Sequence, residues 1–349
     1  MYDALAMADE LATSLSLRGA ATVAIAALLS ALLIVLLRPV LLRYALARPN
    51  ARSSHTTPTP QGGGIAVVAA TIGGFCAAAH FSPGVPLLSG SLLTTFAAVV
   101  LVAGVGAADD VRSIAVVPRL LLQTLAVVLV IYALPDELRV APFLPWWAER
   151  VLLVIGGVWF VNLVNFMDGL DWMTVAEVVP VTAALALMGA LGALPPQGLA
   201  AALALGGAMI GFAYFNRPVA VLFLGDVGSL PIGLMLGWLL ILLAGGGHLT
   251  AAVLLPLYYL ADATITLGRR LIRGEPVWQA HRTHFYQRAT DGGFSVTEVV
   301  ARVFLGNVIL GALAIGTVMA PSRLGNIIAL LLGAVLVAWL LVVLARGKK

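Results

Sequence analysis

The sequence predicts an all-α integral membrane protein that crosses the bilayer about eleven times. Three observations predict it. Of 349 residues, 61% are apolar and only 10% charged, against roughly half and a quarter in soluble domains. The apolar residues fall in runs of about 20, the length that spans hydrocarbon. The basic residues alternate between the gaps that separate those runs. A cytosolic enzyme, a secreted disulfide scaffold and a disordered chain are excluded by the same composition. Cys76 is the one cysteine, so there is no intrachain disulfide and no cysteine zinc cluster. A net charge of +4 does not point to nucleic acid. The N-terminus carries Asp3, Asp9 and Glu10 and lacks the basic region of a signal peptide.

The first predicted span, 20–37, follows this acidic start and ends at Arg38. The second, 62–80, opens on three glycines; the third, 91–108, closes on Asp109 and Asp110. The fourth and fifth, 118–134 and 149–167, flank a Pro- and Trp-containing loop. The sixth and seventh, 173–194 and 197–215, are rich in Ala and Gly and part only at Pro195, Pro196 and Gln197; small residues let membrane helices approach closely. The eighth and ninth are 227–246 and 248–267, the tenth and eleventh 298–318 and 325–345. The longest polar stretches, 48–61 and 268–297, are loops of one domain, 1–349. All but four of the 20 Lys and Arg follow odd-numbered spans or close the chain; the exceptions are Arg18, Arg139, Arg150 and Arg323. The positive-inside rule then puts the N-terminus outside and the C-terminus in the cytoplasm.

Ionisable residues near membrane depth are functional candidates. Asp109, Asp110, Asp168, Asp171 and Asp226 come from three separate places yet end spans on the same cytoplasmic face. Asp109 and Asp110 close a helix whose C-terminal dipole disfavours anions, so a solvated helix end explains them poorly. Asn162, Asn165, Asp168 and Asp171 recur every third residue and form a polar stripe. Interhelical hydrogen bonding alone suffices for Asn162 but not for the two acids. Asp226 lies in Gly225-Asp226-Val-Gly228-Ser229, where glycines admit a ligand close to the backbone.

Two loops supply the opposite charge. His281, His284 and Arg288 are spaced by three and four, so one helical face can carry all three, with Arg282 beside them. Arg grips phosphate oxygens in pairs; zinc is disfavoured because no cysteine is near. Gly62, Gly63 and Gly64 are either a glycine turn presenting N–H groups to an anion or a stiff turn alone. A carboxylate-rich cleft edged by Arg, His and N–H donors suits Mg²⁺-dependent chemistry on a diphosphate, with a lipid as one reactant.

In these residues the chain resembles the polyprenyl-phosphate N-acetylhexosamine-1-phosphate transferase family. That family includes phospho-N-acetylmuramoyl-pentapeptide transferase and the enzymes that start O-antigen and teichoic acid synthesis. The likeness runs in order from residue 49 to 288. It comprises Arg52-Ser-Ser-His55 with Pro58-Thr59-Pro-x-Gly-Gly-Gly64, Asp109-Asp110, the Asn162 to Asp171 stripe, Gly225-Asp226-x-Gly-Ser229 and the His281-Arg-x-His284-x-Tyr-Gln-Arg288 run. This last run is most like the O-antigen branch. The resemblance implies Mg²⁺, undecaprenyl phosphate as acceptor and a UDP-N-acetylhexosamine as donor, in a bacterial inner membrane, with a homodimer left open. It implies metal contacts from Asn165 and Asp226, and catalytic work by Asp109, Asp110 and Asp168. Thr59, Asn162, Asp171, His281, Arg282, His284 and Arg288 would hold the substrates. Trp172 stands where the family usually has Gly, and Gln61 where Arg is common; a bulky indole is expected at the cleft edge. Lipid phosphate attacking the β-phosphorus directly is favoured over a covalent aspartyl intermediate.

The rival class is a secondary transporter, which would hold its acids near the midplane in repeated halves. Asp262, inside the ninth span, is the residue most like a transporter's, with a supporting polar contact as its plainer role. A CDP-alcohol phosphotransferase is excluded because Asp168-Gly169 lacks the following Ala-Arg.

Overall fold

The computed structural model describes residues 2–47, 58–81, 85, 89–276 and 281–348. Helix α1 (Tyr2–Tyr44) is followed by a two-residue antiparallel pair, β1 (Leu46–Ala47) and β2 (Thr59–Pro60), then α2 (Gly64–Phe81). Next come α3 (Gly90–Val111), α4 (Val116–Tyr132), α5 (Trp146–Met167), α6 (Met173–Ala190) and α7 (Pro196–Ala213). The chain continues through α8 (Asp226–Leu243), a π turn (Ala244–His248), α9 (Leu249–Leu254) and α10 (Leu257–Ile272). It ends with α11 (Phe285–Asp291), α12 (Val296–Met319) and α13 (Arg323–Arg346).

Local chemistry fixes several of these starts. Ser89 accepts the N–H of Leu92 at the head of α3, and Ser322 that of Gly325 at the head of α13. Ser295 and Glu298 form a reciprocal capping box on α12, satisfying N–H groups that a helix start leaves open. Pro196 begins α7, where its missing N–H costs nothing.

Among the described residues, nine helical stretches are long and apolar enough to cross a membrane, and Val116–Tyr132 is a shorter apolar one. The predicted spans meet these helices with two differences. The first span runs on past Arg38 to Tyr44. The ninth, 248–267, is not continuous. Gly247, at φ +92°, turns the chain after α8. Pro256, which can donate no helical N–H, then separates α9 from α10.

Helix α8 is the most enclosed span, while α1 and α13 are peripheral and expose Leu28, Val35, Leu331 and Val335. Lipid tails are as apolar as leucine, so helices here associate by close packing. A Cβ at Gly207 or Gly211 of α7 would lie 2.4 or 2.2 Å from the α1 carbonyls of Val23 and Ala27. Buried amides and acids pair across helices: Asn162 donates to Gln123, and Asn307 donates to Glu177.

One end of the bundle gathers the functional candidates, and hydrogen bonds tie its loops together. Gln61 donates to the Asp110 carbonyl, Phe223 N–H to Pro60, Ala220 N–H to Asp171, and Tyr286 Oη to Phe166. Lys348 N–H bonds Gly292, so the C-terminus lies at that same end.

Candidate active site

The site is built on a joint between three helix ends. Asp110 closes α3 and accepts the first N–H groups of α8, from Asp226 at 2.9 Å and Val227 at 3.0 Å. It thus supplies the cap that an α8 start on glycine lacks. Helix α2 meets the same place: a Cβ on Gly64 would lie 2.1 Å from the Gly228 Cα, so only glycine permits the contact. Gly63 and Gly64 give their N–H groups to the carbonyls of Phe223 and Leu224. Of the two readings of the glycine turn, the stiff turn is therefore the one realised; these N–H groups do not face an anion. Residues 52–55 lie outside the described residues. Thr59 is buried in β2.

Asp226 is thereby fixed at the head of α8. Its Oδ1 accepts Asn165 Nδ2 at 2.8 Å, and the same amide reaches Ser229 Oγ at 2.9 Å. Its Oδ2 faces the Arg119 guanidinium at 3.9 Å. Arg119, at the head of α4, is gripped by Asp109 Oδ2 at 2.6 Å, while Asp109 Oδ1 accepts Ile114 N–H. The sequence reading passed over Arg119 and named Ser229 only as part of its motif, without a role. Arg119 had one available signal, a lone cation ten residues beyond Asp109 at a predicted span start.

Asp168 ends α5 and accepts Thr174 Oγ1 at 2.5 Å. Burial pushes its carboxyl up to about 8, with Asp226, Asp110 and Asp171 adding to the rise and Thr174 opposing it. Asp171 is buried and accepts Ala220 N–H, which fastens the loop leading to Asp226. Asn162 turns to Gln123 on α4 at 2.9 Å, away from Asp226. Trp172 has a left-handed backbone, φ +61°, the conformation glycine adopts at least cost. Its indole does not edge the site: Nε1 donates to Ala213 at 2.6 Å and the backbone N–H to Asn216.

The basic loop meets this cluster through Tyr286, whose hydroxyl bonds the Phe166 carbonyl. The predicted helical face of His281, His284 and Arg288 is not formed, because α11 starts only at Phe285. The reason is Asp262, fully buried on α10. It accepts the N–H groups of Phe285 and Tyr286, His284 Nδ1 at 3.1 Å, and the hydroxyls of Tyr258 and Thr266. Asp262 therefore caps α11 and holds the buried His284 ring through Nδ1. His281 and His284 stack at 4.8 Å. Burial, with His284 and Arg270 beside it, pushes His281 down to about 4, so it is neutral at pH 7. Arg282 pairs with Asp291 at 3.3 Å and Thr290; Arg288 is exposed. Residues 277–280 are outside the described set.

Among the described residues, no three of His, Cys, Asp and Glu converge as a metal cage. Asp226, bonded by the Asn165 amide and near enough to Asp168 to raise its carboxyl, brings hard oxygen donors to this helix end. Such a set suits Mg²⁺, which binds one or two carboxylates and completes its shell with water and substrate phosphates.

Residues 92–244 match glycosyl transferase family 4. A probable undecaprenyl-phosphate N-acetylglucosaminyl 1-phosphate transferase of Bacillus subtilis is 24% identical over 81% of each chain. A decaprenyl-phosphate N-acetylglucosaminephosphotransferase of Mycobacterium tuberculosis is 29% identical over 84% of this chain and 80% of its own. A phospho-N-acetylmuramoyl-pentapeptide-transferase of Anaplasma marginale is 29% identical over 46% of this chain and 49% of its own. The matched segment holds all five site aspartates that the sequence singled out. Polyprenyl-phosphate transferases align along most of its length and residues 92–244 match glycosyl transferase family 4, so the chain is similar to the members of that family.

Proposed function

We propose that the protein transfers an N-acetylhexosamine 1-phosphate from its UDP-sugar to undecaprenyl phosphate, releasing UMP. The observation that carries this reading is Asp226. It is held at a helix start by Asp110, bonded by Asn165 and faced by Arg119, at the end of the bundle where most basic residues lie. Mg²⁺ bound by Asp226 and Asn165 would neutralise diphosphate charge and orient the phosphorus.

An oxygen of the acceptor phosphate attacks the β-phosphorus of the donor. The new P–O bond forms as the bond from that phosphorus to the oxygen bridging to UMP breaks. The acceptor is already an anion, so positioning matters more than proton removal. Arg119, fixed by Asp109, is placed to hold a phosphate close to Asp226. Both oxygens of Asp110 are engaged by α8, so its contribution is to aim Asp226. Asp168 stands at the same cluster as a proton-holding acid. His281, Arg282, His284 and Arg288 would take the sugar and diphosphate, with neutral His281 offering hydrogen bonds rather than charge. By the positive-inside rule this face is cytoplasmic, the C-terminus with it, and the membrane a bacterial inner membrane. Initiation of a cell-surface polysaccharide of the O-antigen kind fits the His-Arg-x-His-x-Tyr-Gln-Arg run.

The transporter reading loses its main support, because Asp262 is fully engaged in capping α11. The test is UMP release by purified protein given undecaprenyl phosphate, Mg²⁺ and a panel of UDP-N-acetylhexosamines. UMP that needs lipid and metal, and disappears in Asp226→Ala, is expected. Folded protein that releases none from any donor overturns the proposal.

A further inference from the structure

At the opposite end of the bundle, α3, α4 and α5 enclose a lateral groove of ≈ 1140 Å³ lined by Ser91, Thr94, Tyr132, Asp136, Trp146 and Arg150 among others. Arg150 is 7% exposed. Its Nη2 donates to the carbonyls of Pro135 and Leu138 at 2.8 and 3.3 Å, and its guanidinium lies 5.3 Å from the centre of the Trp146 ring. Its Nε and Nη1 have no acceptor. The adjacent acid is not free to supply one: Glu149 accepts Arg139 and the N–H groups of Val140 and Ala141. A buried guanidinium with unmatched N–H groups is costly. Asp136, exposed in the loop after α4, shares the groove. Along the wall, Val151 and Ile155 present 51% and 61% of their surface. Arg150 stands about 27 Å along α5 from Asp168, so this is not the catalytic cluster.

We propose that this groove binds a phospholipid with a primary-amine headgroup, a phosphatidylethanolamine. The lipid phosphate takes the open N–H groups of Arg150, its ammonium meets Asp136, and an acyl chain follows Val151 and Ile155. Each charge on the zwitterion then has a partner of opposite sign, at the height where a headgroup meets the acyl region. The inference needs only the membrane-spanning fold and is independent of the proposed reaction.

The test is the melting temperature of the purified full chain in detergent, titrated with phosphatidylethanolamine, phosphatidylcholine, phosphatidylglycerol or inorganic phosphate. Phosphatidylethanolamine is expected to raise it saturably and at the lowest concentration. Arg150→Gln is expected to weaken half-saturation at least tenfold, the loss of about one charge-assisted hydrogen bond. Asp136→Asn is expected to erase the preference for ethanolamine over choline. Because Arg150→Gln also disturbs the loop it holds, Val151→Trp provides a second variant: it fills the groove without touching Arg150 and should abolish the lipid shift. Equal shifts from ethanolamine and choline lipids on the unaltered protein overturn the proposal. So does an undiminished ethanolamine shift in Arg150→Gln or Val151→Trp. Inorganic phosphate reproducing the full shift overturns it too, since the groove would then be an anion pocket without lipid.

Discussion

Trp172 places a bulky side chain on a left-handed backbone, and the structure shows what holds it there. A left-handed backbone favours glycine by roughly 1 kcal/mol, and the indole offsets this by its bond to Ala213. Trp172→Ala keeps the strained backbone and loses the bond; Trp172→Gly loses the bond and relieves the strain. The glycine variant is therefore expected to melt higher than the alanine variant, by about 1 kcal/mol of stability, in paired thermal scans. The indole was visible in the sequence, but its direction was not: the expected intrusion into the site needed a side-chain orientation that spacing cannot supply. Asp168 offers a pH test. Its folded value of about 8 lies above the ordinary 3.8, so the fold binds this proton more tightly than the unfolded chain. That contribution favours the folded state at low pH and is lost as pH rises from about 4 to about 8. In chelator-treated protein, stability should fall more steeply over this window than in Asp168→Asn, which has no proton to lose there.

At the level of elements, the α3 to α8 joint separates two aspartates that spacing alone treated alike. Asp110 caps a helix, and losing a cap costs about 1–2 kcal/mol. Asp110→Ala is expected to lower both melting temperature and UMP release. Asp226→Ala is expected to abolish release with the melting temperature kept, since α8 retains its cap. Circular dichroism melts beside the activity assay decide this. The motifs gave the right neighbourhood, because a run of polar residues leaving an apolar span is legible in one dimension. They could not give the partition of labour. Whether an aspartate holds a helix or faces a ligand depends on residues 116 positions away, as for Asp110 and Asp226. The start of α11 was misread for the same reason: Asp262 sets it from another helix.

For the whole molecule, hydropathy gave the order of the apolar helices, and charge alternation supports the proposed orientation. Hydropathy missed the break of the ninth pass at Gly247 and Pro256, since mean hydropathy does not register a backbone turn. With Cys76 replaced by serine, a cysteine at Ser322 should react with an impermeant maleimide on intact cells. One at Lys348 should react only after permeabilisation. The reverse pattern would invert the proposed orientation. Helix α4 also has a consequence for the membrane around it. Its 17 residues reach about 26 Å, short of a typical hydrocarbon thickness of about 30 Å, whereas its neighbours α3 and α5 have 22 each. A bilayer thinned beside α4 would relieve this mismatch, at a cost that grows by a fraction of a kcal/mol per Å. That stress falls on the one helix whose first turn carries Arg119, so acyl-chain length becomes a control on turnover. Rates in vesicles of matched headgroup should decline as the chains lengthen.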